Sequence, residues 1–324
     1  MKSFEYAAPK TVKEATALLS EAWGKTEILA GGTDLVTSLK QRLTQPDRVV
    51  SLKNIKDLRG IRARRSSLTI GAMTTLGEVA EHADAKKQFP SLVTAIKGIG
   101  SPQLISVGTV GGDLCQRPRC WYYRNGFGLL GQHSGSSLVR EGDNRYHAIF
   151  GTDGPALFVS ASSLAPALIA LGAEITVAGP GGKERTIRAA EFFRAPKMEN
   201  ERETALQPNE ILTEISIPNR GMKNATYEIR HRGGLDWPYV TASVAFGGRG
   251  GNSDASVVLG HVAATPWLAA SAGRALTGAR VDEALAAKCG EAATEGARPL
   301  SQNAYKVQMV KAAVKRAVLA AAAA

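Results

Sequence analysis

Cysteine is scarce in this 324-residue chain: Cys115, Cys120 and Cys289 are all there is. Three thiols make no disulfide framework, so a reducing compartment is the expectation. No run approaches the roughly 20 apolar residues that cross a bilayer. The opening Met1-Lys2-Ser3-Phe4-Glu5-Tyr6 has neither an apolar signal core nor twin arginines, and no export signal is expected from it. No Gly-x-Gly-x-x-Gly opens a helix, which excludes a Rossmann site, and Gly182-Lys183 runs into Glu184 rather than a P-loop. There is no nucleophile elbow and no His-Glu-x-x-His. That absence fits a chain whose chemistry is carried by a bound cofactor.

With 44% apolar and 21% charged residues, the chain has the composition of a globular protein long enough for more than one domain. A formal charge of +11 raises nucleic acid as a partner. The densest basic stretch, Arg59-Gly60-Ile61-Arg62-Ala63-Arg64-Arg65, lacks aromatic residues on which bases stack. Elsewhere cations are interspersed with carboxylates, which fits a solvated face or an acidic protein partner better. Neither nucleic acid nor membrane is expected as a partner.

Two glycine pairs organise the rest. In Ile28-Leu29-Ala30-Gly31-Gly32-Thr33-Asp34-Leu35 an apolar strand stops in a tight turn. Glycine permits positive φ and close backbone approach, so successive amides can converge on one anion. Thr33 and Asp34 add a hydroxyl and a short carboxylate suited to nucleotide oxygens. Thr109-Val110-Gly111-Gly112-Asp113-Leu114 repeats the pattern, again an apolar run ending in Gly-Gly and an acid. Two such turns would clasp a dinucleotide from both sides.

Residues 1–58 read as a small α/β unit. Thr11-Val12-Lys13-Glu14 has the form of a capping box, a strand covers Thr26–Ala30, Leu35, Leu39 and Leu43 continue at helical spacing, and Val49–Leu52 is the next strand. A second unit, 59–220, starts with the strand Leu68–Ala72, a capping box at Thr75-Leu76-Gly77-Glu78, a surface His82 and a helix over Ser91–Ile99. Residues 115–148, Gly/Ser-rich and irregular, are expected as a long surface excursion. Ala165–Leu171 reads as a helix, Glu174–Ala178 and Ile211–Ile217 as strands. After a polar boundary at 219–224, residues 221–324 carry strands at Ala225–Arg230, Tyr239–Phe246 and Ser256–Val262. Helices are expected at Trp267–Leu276, Val281–Cys289 and Ser301–Ala320. In the last, Val307, Val310, Val314 and Val318 line one face, while Lys306, Lys315 and Arg316 point elsewhere.

The glycine turns sit in a longer pattern. It includes Leu68-Thr69-Ile70-Gly71-Ala72-Met73-Thr74-Thr75-Leu76, Ser106-Val107-Gly108-Thr109-Val110-Gly111-Gly112, Glu210-Ile211-Leu212-Thr213-Glu214-Ile215-Ser216-Ile217-Pro218 and Leu259-Gly260-His261-Val262-Ala263-Ala264-Thr265-Pro266-Trp267. From about residue 3 to about residue 320 the chain resembles the FAD-binding medium subunit of molybdenum hydroxylases, the xanthine dehydrogenase and aldehyde oxidoreductase family. The resemblance implies an α+β fold: a two-subdomain FAD-binding domain of the vanillyl-alcohol-oxidase type over 1–220, then a C-terminal α/β domain of the CO dehydrogenase flavoprotein type over 221–324. It implies that Leu29, Ala30, Gly31, Gly32, Thr33, Asp34 and Leu35 hold the FAD pyrophosphate. Thr109, Gly111, Gly112 and Asp113 would hold the cofactor's other flank, with Ser162 beside them and Leu212 against one of its rings. His231, His261, Arg230 and Arg232 could reach the flavin, although surface or core roles suit each better. The implied partners are a large molybdenum-cofactor subunit and a small [2Fe–2S] subunit.

The departures are informative. Family members usually have Asn after the second glycine pair, where Asp113 stands, and a Ser-Asp pair where this chain has Ser162-Ser163. A subgroup carries a four-cysteine [4Fe–4S] loop. This chain keeps its frame, Gln116-Arg117-Pro118-Arg119-Cys120-Trp121-Tyr122-Tyr123-Arg124 and Asn144-Arg145-Tyr146-His147-Ala148-Ile149, with no cysteine between. Cys115 and Cys120 with His133 and His147 match a zinc set by count, but their spacing fits no known finger, and no metal is expected.

The reading is therefore an FAD-containing electron-transfer subunit of a molybdenum hydroxylase acting on an aldehyde, purine or aromatic heterocycle. A self-sufficient flavin oxidase or dehydrogenase on the same fold is the alternative, opposed by the lack of a dedicated substrate domain. A cytoplasmic location is expected, or a periplasmic one if a signal-bearing partner exports the chain.

Overall fold

A computed structural model of the chain describes residues 1–234, 236–248 and 255–324. β1 (Glu5–Ala7), β2 (Thr26–Leu29) and β3 (Arg48–Ser51) form a parallel sheet in the order β1-β3-β2. The Thr11 hydroxyl accepts from the Glu14 amide at 3.2 Å and starts the helix Val12–Ala17, as a Thr-x-x-Glu spacing predicts. β2 gives way to the first glycine turn, where Gly32 has φ +82°. Helix Leu35–Lys40 follows directly.

β4 (Ile61–Ala63) and β5 (Ser67–Gly71) begin a second sheet. The chain then leaves it through five short helices, ending with Pro90–Gly98, Pro102–Val107 and Val110–Leu114. His82 lies half-buried at the junction of two of these helices, not on an open surface. The 115–148 segment follows, with a small hairpin of β6 (Gln132–His133) and β7 (Ser136–Ser137). Helix Ala165–Ala170 leads back to β8 (Glu174–Ala178), β9 (Glu184–Arg188) and β10 (Ile211–Pro218). The order is β4-β5-β10-β8-β9, each neighbouring pair antiparallel. β10 is thus central, with Ile215 opposite Ile70 on one side and Ile175 on the other. Leu68, Ile70, Ile215 and Ile217 pack with Leu92, Ile96, Leu164 and Leu168 of the covering helices.

The third sheet is antiparallel, β11 (Lys223–Ile229), β12 (Val240–Phe246), β13 (Ser256–Gly260) and β14 (Trp267–Leu268) in that order. All seven residues of β12 are buried because both faces are covered. Helix Tyr305–Ala323 packs on one face, and Ala165–Ala170 of the preceding unit on the other. Val244 and Val257 accordingly join the C-terminal core, while Ala245 and Val258 join the core of the second sheet.

Four further expectations change. Residues 115–148 are not a surface excursion: Leu129 and Leu130 pack with Ala156, Phe158 and Ala264 in a small apolar core of their own. The amide of Ile149 then bonds Val262 at 2.8 Å, tying the segment to the third sheet. Trp267–Leu268 is an edge strand, and the helix begins at Ala270. The last helix begins at Tyr305 because Asn303 holds a turn before it. Asn303 Nδ2 donates to the carbonyls of Asn144, His147 and Ala148 at 3.1–3.2 Å. Lys306 does not point outward with Lys315 and Arg316; it is buried. Among the described residues no helix is long and apolar enough to cross a membrane.

Candidate functional site

The first glycine turn borders a cleft of about 490 Å³. Ala30, Gly31, Gly32, Thr33, Asp34 and Leu35 line it from one side, Thr109, Gly111 and Gly112 from another, with Ser162 and Leu212 beside them. Leu29 does not border the cleft; its Cδ1 lies 3.3 Å from where a Cβ on Gly32 would be. The amides of Gly31, Gly32, Thr33 and Asp34 have no hydrogen-bond partner among the described residues. Four consecutive amides without partners, at a cleft surface, make the backbone arrangement that binds anions. Gly31 can only be glycine, since a Cβ there would collide with the carbonyl oxygen of Val107.

The second glycine pair works differently from the expectation of a matching turn. It opens the helix Val110–Leu114, capped by the Thr109 hydroxyl, which accepts from Gly112 N at 3.1 Å. The amide of Val110 bonds Thr74, that of Gly111 bonds Ala72 and that of Asp113 bonds Thr109. These amides are therefore not offered to a ligand. Glycine is required here for proximity: a Cβ on Gly111 would lie 2.9 Å from Ala72 Cβ, and one on Gly112 would lie 2.9 Å from the capping Thr109 hydroxyl.

Asp113 is the clearest departure from its expected part as an acceptor of a ribose hydroxyl. Its carboxylate turns inward and is buried, taking the Ser162 hydroxyl at 2.5 Å, Leu164 N at 3.1 Å and Gln116 Nε2 at 3.0 Å. Burial raises its pKa to about 6, against the lowering effect of Ser162 and the Leu164 and Ser163 amides. Asp113 thus brings a carboxylate to the Ser162-Ser163 turn, where the resemblance implies an aspartate at 163. Ser162 lines the cleft, but its hydroxyl is engaged by Asp113 and by Ala165 N at 3.0 Å.

Asp34 is likewise not free for a nucleotide. Its carboxylate takes Arg117 N at 2.8 Å and Arg124 Nη2 at 2.9 Å, with Arg119 Nη1 at 3.2 Å. Those three arginines come from the 115–148 segment, which sequence reasoning left outside the site. Arg117 also pairs with Glu203 at 2.9 Å, and Arg202 stacks over Trp23 at 4.7 Å. Arg117, Arg202 and Trp23 all line the cleft. Burial raises the pKa of Glu203 and of Glu27. For Arg117, Arg119 and Arg124 the sequence signal was the retained Gln116–Arg124 frame; Trp23, Glu27, Arg202 and Glu203 carried none. A smaller cavity of about 260 Å³ shares Thr33, Thr109, Gly112 and Gln116 with the cleft and extends to Arg230, Asp236 and Trp237.

The thiols and imidazoles do not converge. Cys115 packs against the core of the second sheet, and His133 sits on the exposed β6–β7 hairpin. Cys120 Sγ meets His147 Nε2 at 3.1 Å. Among the described residues no three His, Cys, Asp or Glu side chains are grouped as a metal would need. His261 is buried, with Nδ1 3.0 Å from Thr241 Oγ1; Arg230 pairs with Glu228 at 2.5 Å and Arg232 with Asp236 at 3.1 Å; His231 is exposed.

Residues 2–220 match the family model of the FAD binding domain in molybdopterin dehydrogenases, and residues 225–321 that of the CO dehydrogenase flavoprotein C-terminal domain. The chain belongs to this family. It is 32% identical to the carbon monoxide dehydrogenase medium chain of Hydrogenophaga pseudoflava over 98% of its own length and 96% of that protein's. It is 28% identical to the aldehyde oxidoreductase FAD-binding subunit PaoB of Escherichia coli, covering 96% of each. A solved structure of carbon monoxide dehydrogenase from Hydrogenophaga pseudoflava, lacking the Mo-pyranopterin moiety, superposes with a TM-score of 0.76 at 29% identity, covering 99% of this chain and 97% of that one. The chain is a flavoprotein subunit of the molybdenum hydroxylase type, and FAD is its cofactor. The cleft fits that group: it offers four consecutive unpartnered amides for a pyrophosphate, at glycines whose lack of a side chain leaves the backbone open to it.

Proposed function

We propose that this chain is the electron-transfer subunit of a heterotrimeric molybdenum hydroxylase. It would take electrons from the [2Fe–2S] clusters of a small partner and deliver them to an external acceptor. A large molybdenum-cofactor subunit would oxidise the aldehyde, purine or aromatic heterocycle. The observation that carries the reading is the run of unpartnered amides from Gly31 to Asp34 facing a cleft closed by Gly112 and the Arg117 network.

FAD, when bound, supplies the exchange of electrons singly or in pairs. The protein's own residues position it. The Gly31–Asp34 amides would hold the pyrophosphate and Gly111 and Gly112 would let it approach the backbone, while Arg117 and Arg202, paired with Glu203 and Glu27, hold the cleft wall. Leu212, set beside a bulge between Leu212 and Glu214 that re-aims β10, packs against a ring. Ala30, Thr33, Leu35 and Thr109 complete the walls. Leu29 acts beneath the turn, and Asp113 and Ser162 fix the backbone around it. We take residues 1–220 as the cofactor-binding domain, with subdomains 1–58 and 59–220, and 221–324 as the C-terminal domain. The cytoplasm is the expected compartment.

Tagged chain, co-expressed with its candidate partners and purified, tests this. Copurification of a molybdenum subunit and a [2Fe–2S] subunit, with about one FAD per chain, is expected. Substrate-dependent bleaching of the flavin in the isolated chain would support a self-sufficient enzyme instead.

A further inference from the structure

A second cavity, of about 350 Å³, lies between the 115–148 segment and the C-terminal domain. Lys306, His147 and His261 line it, with Trp121, Trp237 and Tyr239 as aromatic walls. Lys306 is fully enclosed, and its ammonium donates to three carbonyl oxygens, those of His261 at 2.7 Å, Tyr146 at 3.1 Å and His147 at 3.2 Å. No carboxylate among the described residues pairs with it. It also stands in the first turn of the 19-residue helix Tyr305–Ala323, the positive end of that helix's dipole, with no acidic residue in the turn. Burial lowers the Lys306 pKa to about 7, so an anion in the adjoining volume would be the group that holds it in its charged form.

Among the polar groups around it, His147 points the same way. His147 Nδ1 and His261 Nε2 are buried ring nitrogens with no partner among the described residues. With the Cys120 thiol donating to His147 Nε2, His147 Nδ1 carries the ring proton; the Thr241 hydroxyl donates to Glu228 Oε1 at 3.5 Å, so His261 Nδ1 donates to Thr241 Oγ1 and His261 Nε2 is an acceptor. Burial, then Lys306, keeps both imidazoles neutral, lowering His147 to about 4 and His261 to about 3. The carboxylate on the wall, Asp236, is paired with Arg232. The walls supply ring faces: Trp121 meets Tyr146 edge-on at 5.4 Å, and Arg119 lies 5.1 Å above Trp237.

We propose that this cavity is a binding site for a small aromatic carboxylate, its ring between Trp121 and Trp237, with Lys306 as the countercharge. The cavity borders the cofactor cleft, sharing Phe158 and Ala161 with it and Arg119 and Trp237 with the smaller cavity beside it.

Benzoate is the probe, followed by calorimetry and tryptophan fluorescence on the full chain with and without FAD. One benzoate per chain is expected to bind with a Kd below about 1 mM. Benzyl alcohol, of the same shape without the charge, is expected to bind at least about tenfold more weakly, a difference of about 1.4 kcal/mol. K306M should abolish benzoate binding. W121L, half-buried at the wall, should weaken it about tenfold while FAD content stays unchanged, and it keeps the test open if K306M does not fold. No benzoate binding at about 10 mM, equal binding of benzyl alcohol, or wild-type affinity in W121L would overturn the proposal. Loss of FAD binding would leave it standing and overturn the cofactor assignment instead.

Discussion

Asp34 and Arg124, 90 residues apart in sequence, meet at 2.9 Å behind the first glycine turn. Both side chains are largely buried, so the pair resists screening and removing one partner strands the other. R124M and D34N should each destabilise the chain by about 2 kcal/mol and weaken FAD binding at least about tenfold. Denaturant unfolding and fluorescence titration with FAD measure the two effects. The double variant should cost less than the sum, because the partners share one interaction.

Gly31→Ala is expected to abolish FAD retention, since the added methyl meets the Val107 backbone rather than a movable side chain. Gly154→Ala is the control: a Cβ there meets nothing within 4 Å, and stability should change by no more than about 0.5 kcal/mol. The flavin absorbance of the purified variants gives the comparison. Equal retention by both would remove the close approach at Gly31 from the account.

Asp113 gives the fold an unusual pH dependence. Its folded pKa of about 6 lies above the ordinary 3.8, so the fold favours the protonated form. The associated stability, up to about 3 kcal/mol, is fully present below the ordinary value and lost as pH rises toward 6. D113N should flatten that part of the profile. Melting temperatures of both proteins between pH 4 and 8 test it; parallel curves would exclude a perturbed Asp113.

His147 and His261 act in the opposite direction. Their folded values, about 4 and about 3, lie below the ordinary 6.5, so the neutral forms are favoured. Stability is present above pH 6.5 and falls with acidification, by about 1.4 kcal/mol per pH unit for each imidazole. H147N should remove about half of that slope between pH 6.5 and 4.5, read from unfolding free energies at fixed pH.

The 115–148 segment holds together through apolar packing. Phe158→Ala should cost about 3 kcal/mol by opening a cavity among Leu129, Leu130 and Ala264. Iron analysis of the purified chain should read near zero, whereas one cubane cluster would give about four.

The glycine pairs, the capping threonines and the strand periodicities were legible in the sequence because each is a local signal. The arginine side of the cleft was not. Arg117, Arg119 and Arg124 reach Asp34 only after some 80 to 90 residues have folded between them, and Gly/Ser-rich composition masked the Leu129–Leu130 core. Lys306 was misread because its helix stripe of valines suggested one buried face, while the first turn is enclosed all round by residues 146, 147 and 261. Asp113 was recognised as out of pattern, but only the fold shows that its carboxylate serves the 162–164 turn.

The central place of β10 governs how the chain is made. Ile70 waits for Ile215, roughly 140 residues downstream, before the second sheet can close. At ribosomal speeds that leaves β5 with an open edge for about seven to thirty seconds. A nascent chain stopped short of Pro218 would therefore expose two unpaired strand edges and hold no cofactor, which makes this interval the point at which chaperones, early termination or a rare-codon pause would decide the yield of the subunit.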